Sequence, residues 1–508
     1  MSRKWEETYK MSKINISDLT SGQKRALDSM LAGGNVFLTG EAGTGKSVVT
    51  EIFIEKSTRD GKIILITAPT GTAADNLHGE TIHRCFGADI GIQKNNRALS
   101  SRKDILRTAD IVIIDEISMC RFDLFDYVAR RILYENECRA KDREFTKIRH
   151  TSVIQEGDKT YSVKQDDIQL IVLGDFYQLP PVITKDDMEE FKRLNPGIDE
   201  NFRGYAFQSE CWSKMNFESI MLTEVVRQSD SELAEILHKV RQASSTASKK
   251  ECIDWLMSRS STFPMPADDS IYLFGTNKKC KEINDKELLK LHSKEETYIA
   301  GCTGEIEQGD KFAEDEITLK EGCKVMLTVN DSSGRYVNGT IGRVVSLRDE
   351  SIDVLKEDGK LITIEPLTKE ITKPVVKEYE VERLVDEAVL DEDGLPKRDA
   401  DGNVIMQKVT KMVTETEITH EKVGSFTQLP VRIAYAITIH KSQGKTFSKI
   451  NLDPYVWDDG QFYTALSRCK AIEDVCILNP ILPKYIKTSA DVKKFMKPIE
   501  KAVSGSWS

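Results

Sequence analysis

Residues 36–47 read Val-Phe-Leu-Thr-Gly-Glu-Ala-Gly-Thr-Gly-Lys-Ser. An apolar strand runs into a glycine-rich loop that closes on Lys46-Ser47. The pattern G-x-x-x-x-G-K-[ST] is complete from Gly40 to Ser47. Gly40, Gly43 and Gly45 let the backbone curl so that its N–H groups, across Ala42 and Thr44, face a phosphate chain. Lys46 is placed to reach the β- and γ-phosphates, and the Ser47 hydroxyl to ligate Mg²⁺. Residues 48–56 start a helix whose positive end faces the anion. A plain strand-turn-helix junction is the alternative, and the strand context weighs against it.

Outward from this loop, short apolar strands at 36–38, 63–68, 111–114 and 168–173 alternate with helical stretches. An amphipathic helix over 17–33 opens near Asp18 or Thr20. This alternation predicts an α/β fold with a doubly wound parallel sheet, its motifs at the carboxyl ends of the strands. A second α/β set is expected at 219–222, 270–274, 323–327, 432–436 and 475–478. From 345 to 428 apolar and polar residues alternate, with turns at Asp358-Gly359, Asp393-Gly394 and Asp401-Gly402. That is hairpin chemistry and predicts an all-β insert. Asp399, Asp401 and Gly402 look like the start of a calcium loop without its closing acid, so they read as a turn. Residues 135–167 are polar, turn at Gly157-Asp158, and read as a surface hairpin.

At 508 residues the chain exceeds one core and suggests two to four domains. It is 39% hydrophobic and 30% charged, without an apolar run long enough to span a bilayer. Its polar first residues carry no leader character, and its ten cysteines include no C-x-x-C pair. A reduced cytoplasmic chain without zinc is expected. The net charge of −10 argues weakly against nucleic acid, but phosphate contacts need only a local basic track.

The strand at 111–114 ends in Asp115-Glu116. Asp115 is placed to hold Mg²⁺, directly or through water, and Glu116 to take a proton from the water attacking the γ-phosphate. Gln178, in Gly174-Asp-Phe-Tyr-Gln-Leu-Pro-Pro181, is placed to orient that water. Arg227 and Arg468 suit charge spread over γ-phosphate oxygens, although either alone reads as a surface ion-pair residue. Gly444-Lys445-Thr446 imitates a second phosphate loop, but Ile439 stands where the first glycine belongs. Thr438, His440, Lys441 and Ser442 instead offer donors to a phosphodiester backbone. Pro69, Thr70, Thr81 and His83 belong to similar small polar stretches in the first half.

As an ordered set these motifs resemble a superfamily-one DNA helicase of the B branch, most like the Pif-one (petite integration frequency) and RecD-like group. The match runs from Gln23 to about residue 480. Thr20-Ser-Gly-Gln23 resembles the family's adenine-reading glutamine motif. Asp115-Glu-Ile-Ser-Met119, with Phe122-Asp-Leu-Phe-Asp126 and Ala129-Arg-Arg-Ile132, resembles the signature separating the Pif-one type from RecD proper. Gly174-Asp-Phe-Tyr-Gln-Leu-Pro-Pro181 and His440-Lys-Ser-Gln-Gly-Lys-Thr446 are close to the family wording, and Val337-Asn-Gly-Thr-Ile-Gly342 resembles the stretch that precedes the family's inserted SH3-like domain.

The resemblance implies two RecA-like P-loop domains with parallel sheets plus an inserted all-β, SH3-like domain. It divides the chain into an extension (1–14), domain 1A (15–200), domain 2A (201–344 with 429–508) and the insert (345–428). It implies arginine fingers at Arg227 and Arg468, ATP contacts that take in Gly444, and ATP and Mg²⁺ as cofactors. Single-stranded and forked or structured DNA would be the partner, unwound 5′-to-3′ by a monomer in DNA repair, recombination or telomere maintenance. Residues 87–105, with Lys94, Arg97, Arg102 and Lys103, correspond to the family's small wedge. The 135–167 insertion and the acidic 380–393 segment depart from the pattern. A P-loop ATPase remodelling protein and a non-catalytic nucleic-acid binder are the rival classes. Two arginine motifs in one chain count against the first, and Glu116 with both arginines against the second.

Overall fold

The computed structural model describes residues 16–504 apart from 89–90, 94–104, 147–150, 157–158, 226–229, 390–396, 398–404 and positions 165, 244, 262, 268 and 332. Arg227, the wedge cations Lys94, Arg97, Arg102 and Lys103, and the turns at 393–394 and 399–402 lie outside the described residues.

Thr20 caps the helix Ser21–Leu31 through a reciprocal box with Gln23, so the chain enters the first sheet from a fixed direction. That sheet has six strands in the order Glu80–Thr81, Ile64–Ala68, Ile111–Ile114, Gln169–Leu173, Val36–Gly40, Glu218–Leu222. Every pairing in it is parallel. Ile111–Ile114, Gln169–Leu173 and Val36–Gly40 are buried throughout, as expected of strands covered on both faces.

The strand at 219–222 is therefore corrected. It joins the first sheet, with Val36 opposite Glu218 and Gly40 opposite Leu222. A short run ending in three apolar residues states that it is a strand but not which sheet it completes. The second parallel sheet runs Ala436–Thr438, Ile271–Phe274, Ile450–Leu452, Val475–Ile477. The run 323–327 and the first residues of 432–436 also leave the α/β set. Lys324–Leu327 and Val431–Ile433 pair antiparallel in a five-stranded sheet with Ile341–Leu347, Ile352–Lys356 and Leu361–Ile364. Lys324–Leu327 is buried at every residue, so it lacks the alternation that would have marked an antiparallel strand. The Asp358-Gly359 turn closes its hairpin as expected, Lys356 N–H donating to the Lys360 carbonyl at 2.9 Å.

Leu367–Ala388 and Met406–Gln428 form a long two-stranded ribbon. Of the 135–167 stretch, residues 135–146 extend the helix Phe122–Thr146 rather than a hairpin, and only Thr151–Glu156 and Lys159–Lys164 pair with each other. This hairpin adds to the edge of the ribbon strand Met406–Gln428 that Gly301–Gly304 also pairs with, at Thr414 opposite Tyr161. The final helix, Ala490–Ser504, returns to the first sheet. There the Phe495 ring stacks on Phe207 with centroids 4.3 Å apart and touches Phe37, Phe176 and Trp212. Among the described residues no helix is long and apolar enough to cross a membrane.

Candidate nucleotide and nucleic-acid site

A cavity of about 550 Å³ opens where the two parallel sheets face each other. The first side supplies Gln23, the loop from Ala42 to Ser47, Asp115, Glu116 and Gln178; the second supplies Gly444 and Arg468. Gly40 and Thr44 stand behind this wall: the Gly40 carbonyl accepts from Lys46 Nζ, and Thr44 is buried with its hydroxyl on the Glu41 carbonyl.

The sequence folds this way because each side chain sits at a strand end. Val36–Gly40 delivers the glycine loop, whose last glycine caps the helix Lys46–Arg59. Four residues of that helix's first turn leave their N–H groups free for an anion. Lys46 Nζ donates to the carbonyls of Gly40 at 2.8 Å and Glu41 at 3.1 Å, and burial lowers its proton affinity. Gln23 Nε2 donates to the Thr44 carbonyl at 3.0 Å, which ties the capped helix to the phosphate loop.

Ile111–Ile114 delivers the two carboxylates. Asp115 Oδ1 accepts the Glu116 N–H at 2.8 Å. Burial, then repulsion from Glu116, pushes Asp115 up to about 7. Burial also raises Glu116, against the pull of Lys46, a hydrogen bond from Gln443 and Arg468. Two half-buried, under-compensated carboxylates beside a lysine and a serine are a set that a hard cation satisfies. Mg²⁺ takes one or two carboxylates and fills its remaining positions with phosphate oxygens and water, which fits Ser47 with Asp115.

Arg468 is buried, its guanidinium on the carbonyls of Thr464 (2.8 Å), Ser442 (3.3 Å) and Lys445 (3.3 Å) and on the Ser467 hydroxyl (2.7 Å). It thus both borders the cavity and clasps the turn His440–Ser442.

That turn and Thr438, at the end of the strand before it, carry four of the expected nucleic-acid contacts, and the structure divides them. Lys441 is exposed and His440 half-buried. Ser442 is fully buried with its hydroxyl donating to Ile439, and the buried Thr438 hydroxyl accepts the Lys441 N–H. Ser442 is corrected accordingly, since its hydroxyl proton is spent on the Ile439 carbonyl, and Thr438 is corrected by its burial, which sets it back from a strand. On the first side Pro69, Thr70, Thr81 and His83 are all half-buried. Thr70 and Thr81 accept from Ala73 and Arg84 N–H groups as local caps. Next to them Arg84 pairs with Asp310, Nε to Oδ1 at 3.0 Å, so this edge is pinned to the β-rich part of the chain.

Three residues here were missed in the sequence. Gln443 donates from Nε2 to Glu116 Oε2 at 2.9 Å. Tyr463 accepts the Ala42 N–H at 3.1 Å and donates to Asp175 at 3.3 Å. Arg241 pairs with Asp175 out of reach of solvent. Arg241 had a readable signal: it continues the apolar stripe Leu233, Ile236, Leu237, Val240 of its helix, where a cation is out of place.

A family model described as PIF1-like helicase matches residues 18–247. The ATP-dependent DNA helicase RRM3 of Saccharomyces cerevisiae is 30% identical over 95% of this chain and 68% of its own length. The chain belongs to the PIF1-like helicase family. The ATP-dependent DNA helicase Pif1 of Campylobacter jejuni is 28% identical over 87% of this chain and 88% of its own. Among solved structures, Pif1 of a Bacteroides species in complex with ADP-AlF4 superposes with a TM-score of 0.70 at 26% identity, covering 95% of this chain and 97% of that one. A Bacteroides Pif1 bound to single-stranded DNA gives 0.62 at 26% identity, covering 95% of this chain and 97% of that one. The two parallel sheets are the RecA-like cores of this family, and the antiparallel sheets are its all-β additions.

Proposed function

We propose that the chain is an ATP-dependent DNA helicase that moves 5′-to-3′ along single-stranded DNA and unwinds duplex or structured DNA. The observation that supports this best is the shared cavity: phosphate loop and carboxylates from one parallel sheet, Gly444 and Arg468 from the other. A triphosphate bound by both sides closes the cleft, and hydrolysis removes the bridge.

In this reading Gln23, the Gly40–Ser47 loop and Gly444 hold ATP. Ser47 and Asp115 hold Mg²⁺, which supplies charge neutralisation at the β- and γ-phosphates. Glu116 takes the proton of the attacking water and Gln178 orients it. Arg468, with Arg227, stabilises charge on the transferring group. Pro69, Thr70, Thr81 and His83 on one side, with His440 and Lys441 on the other, form a largely sequence-independent strand track. The domains follow the sheets: 1A around the six-stranded sheet, 2A around the four-stranded one, and the all-β insert between strands of 2A. The ten cysteines, none paired among the described residues, suit a reducing cytoplasm. A single chain holds both sides of the cavity, which suits a monomer.

The polarity rests on the family. Duplexes carrying a 5′ or a 3′ single-stranded tail test it: ATP should drive unwinding of the 5′-tailed substrate. Preference for the 3′ tail overturns the polarity, and hydrolysis unmoved by single-stranded DNA overturns the motor.

A further inference from the structure

We propose that Gln443 is the positioning residue through which a bound strand governs Glu116, restraining the carboxylate until the strand engages the turn at His440–Ser442. This rests on the reading of Glu116 as the base and of that turn as part of the strand track.

The contact is specific. Gln443 follows directly on the turn that carries His440 and Lys441, and it reaches across the cleft to Glu116, 327 positions away in the chain. Its Nε2 donates to Glu116 Oε2 at 2.9 Å, while its own Oε1 is buried with no hydrogen-bond partner. A buried amide satisfied on one side only is a costly arrangement, and buried polar groups left so in a native fold call for a reason. Glu116 is held awkwardly too: its backbone has φ +50° and ψ +46°, a left-handed conformation for a residue with a side chain. Two unfavourable local arrangements meet at this one hydrogen bond.

The turn is held as a unit. Arg468 holds the carbonyls of Ser442 and Lys445 on either side of Gln443. A strand that draws on His440 and Lys441 therefore pulls on Gln443 through a turn whose flanks Arg468 clasps. The Glu116 oxygen that accepts from Gln443 is held toward the turn and is occupied, so it is not free to accept from a water at the γ-phosphate. In this arrangement Gln443 withholds proton acceptance, and withdrawal of Gln443 restores it at the moment the track is occupied. Hydrolysis without DNA is suppressed by the same residue that reports DNA.

The test uses the full chain with Gln443→Met, which keeps the length and loses the donor, and measures ATP hydrolysis with and without saturating oligo(dT). Hydrolysis without DNA should rise about tenfold, and the rate with DNA should stay near that of the parent, so the stimulation ratio collapses by the same factor. Both rates falling in equal proportion, or an unchanged ratio, overturns the proposal, because an orienting or purely structural residue behaves that way. Gln443→Asn keeps the amide but falls short of Glu116, and must reproduce the methionine result; thermal melting checks that both variants are folded. Failure of the underlying reading looks different: Glu116→Gln would hydrolyse ATP at the parental rate, or the parent would not respond to oligo(dT) at all.

Discussion

Arg241 and Asp175 form an ion pair withdrawn from solvent on both sides, with Nη2 3.0 Å from Oδ1 and Nε 3.3 Å from Oδ2. The guanidinium lies 3.9 Å from the centre of the Tyr177 ring. Asp175 also accepts from Tyr463, whose hydroxyl accepts the Ala42 N–H of the phosphate loop. One carboxylate thus joins the loop carrying Gln178, the helix carrying Arg241, the helix that precedes Arg468 and, through Tyr463, the phosphate loop.

Arg241→Met should leave Asp175 buried and unpaired and cost about 3–5 kcal/mol. Adding Asp175→Asn should recover a large part of that loss. Denaturant melts of the parent, both single variants and the double variant form the cycle. Strictly additive losses would show that the two side chains do not depend on each other.

Lys46→Ala should lower ATP turnover by about 10²–10³-fold, since it removes a preorganised positive charge from a dry site. Melting temperature should not fall. The lysine is half-buried and desolvation lowers its proton affinity, so its charge costs the fold something in the absence of a phosphate. Phosphate release and thermal melting on the same sample separate the two effects.

Glu80 gives a pH signature away from the cavity. Burial pushes its carboxyl up to about 7, against Arg84, the Thr372 hydroxyl and Lys369, with Asp310 adding to the rise. His420, itself lowered by burial, lies 3.4 Å from it. The folded state holds this proton to higher pH than the unfolded chain, whose glutamate titrates at about 4.3. Glu80 therefore costs stability progressively as pH rises from about 4 to about 7, and no further above that. Glu80→Gln should gain on the parent across that window, read as melting temperature against pH. A constant difference between the two chains would rule the shift out.

Gly460 has φ +67°, and a Cβ there would stand 2.3 Å from the carbonyl oxygens of both Tyr177 and Gln178. Gly460→Ala should push the second side of the cavity off the Gln178 loop, costing about 1–3 kcal/mol in stability and reducing kcat for ATP. Gly33 supplies the control: its φ is +90°, but nothing lies within 4 Å of its Cβ position. Gly33→Ala should carry backbone strain alone and leave kcat unchanged.

Much of the first half of the cavity was legible because its chemistry is written locally. Gly40 to Ser47 and Asp115-Glu116 each follow one apolar strand, and a parallel sheet puts the ends of adjacent strands side by side. What the chain did not disclose depends on distance. Tyr463 and Asp175 are 288 positions apart, and nothing around Tyr463 marks it as a partner of a loop so far upstream. Sheet membership failed for a related reason. Residues 218–222 and 324–327 are apolar at most positions, and which strand each adopts as a neighbour is settled by packing. The hydroxyls of Thr438 and Ser442 suit a phosphate in composition alone; the turn they close claimed them first.

The return of the helix Ala490–Ser504 to the first sheet has a consequence for how the chain is made. Phe37, on the first strand synthesised, meets Phe495 only when more than four hundred and fifty further residues have been added. Until then the ring cluster of Phe37, Phe176, Phe207 and Trp212 lacks one of its covering rings. A nascent chain on the ribosome therefore carries an incomplete core through most of its synthesis, and premature termination anywhere before residue 490 leaves an apolar face bare, a fragment fit for aggregation or degradation.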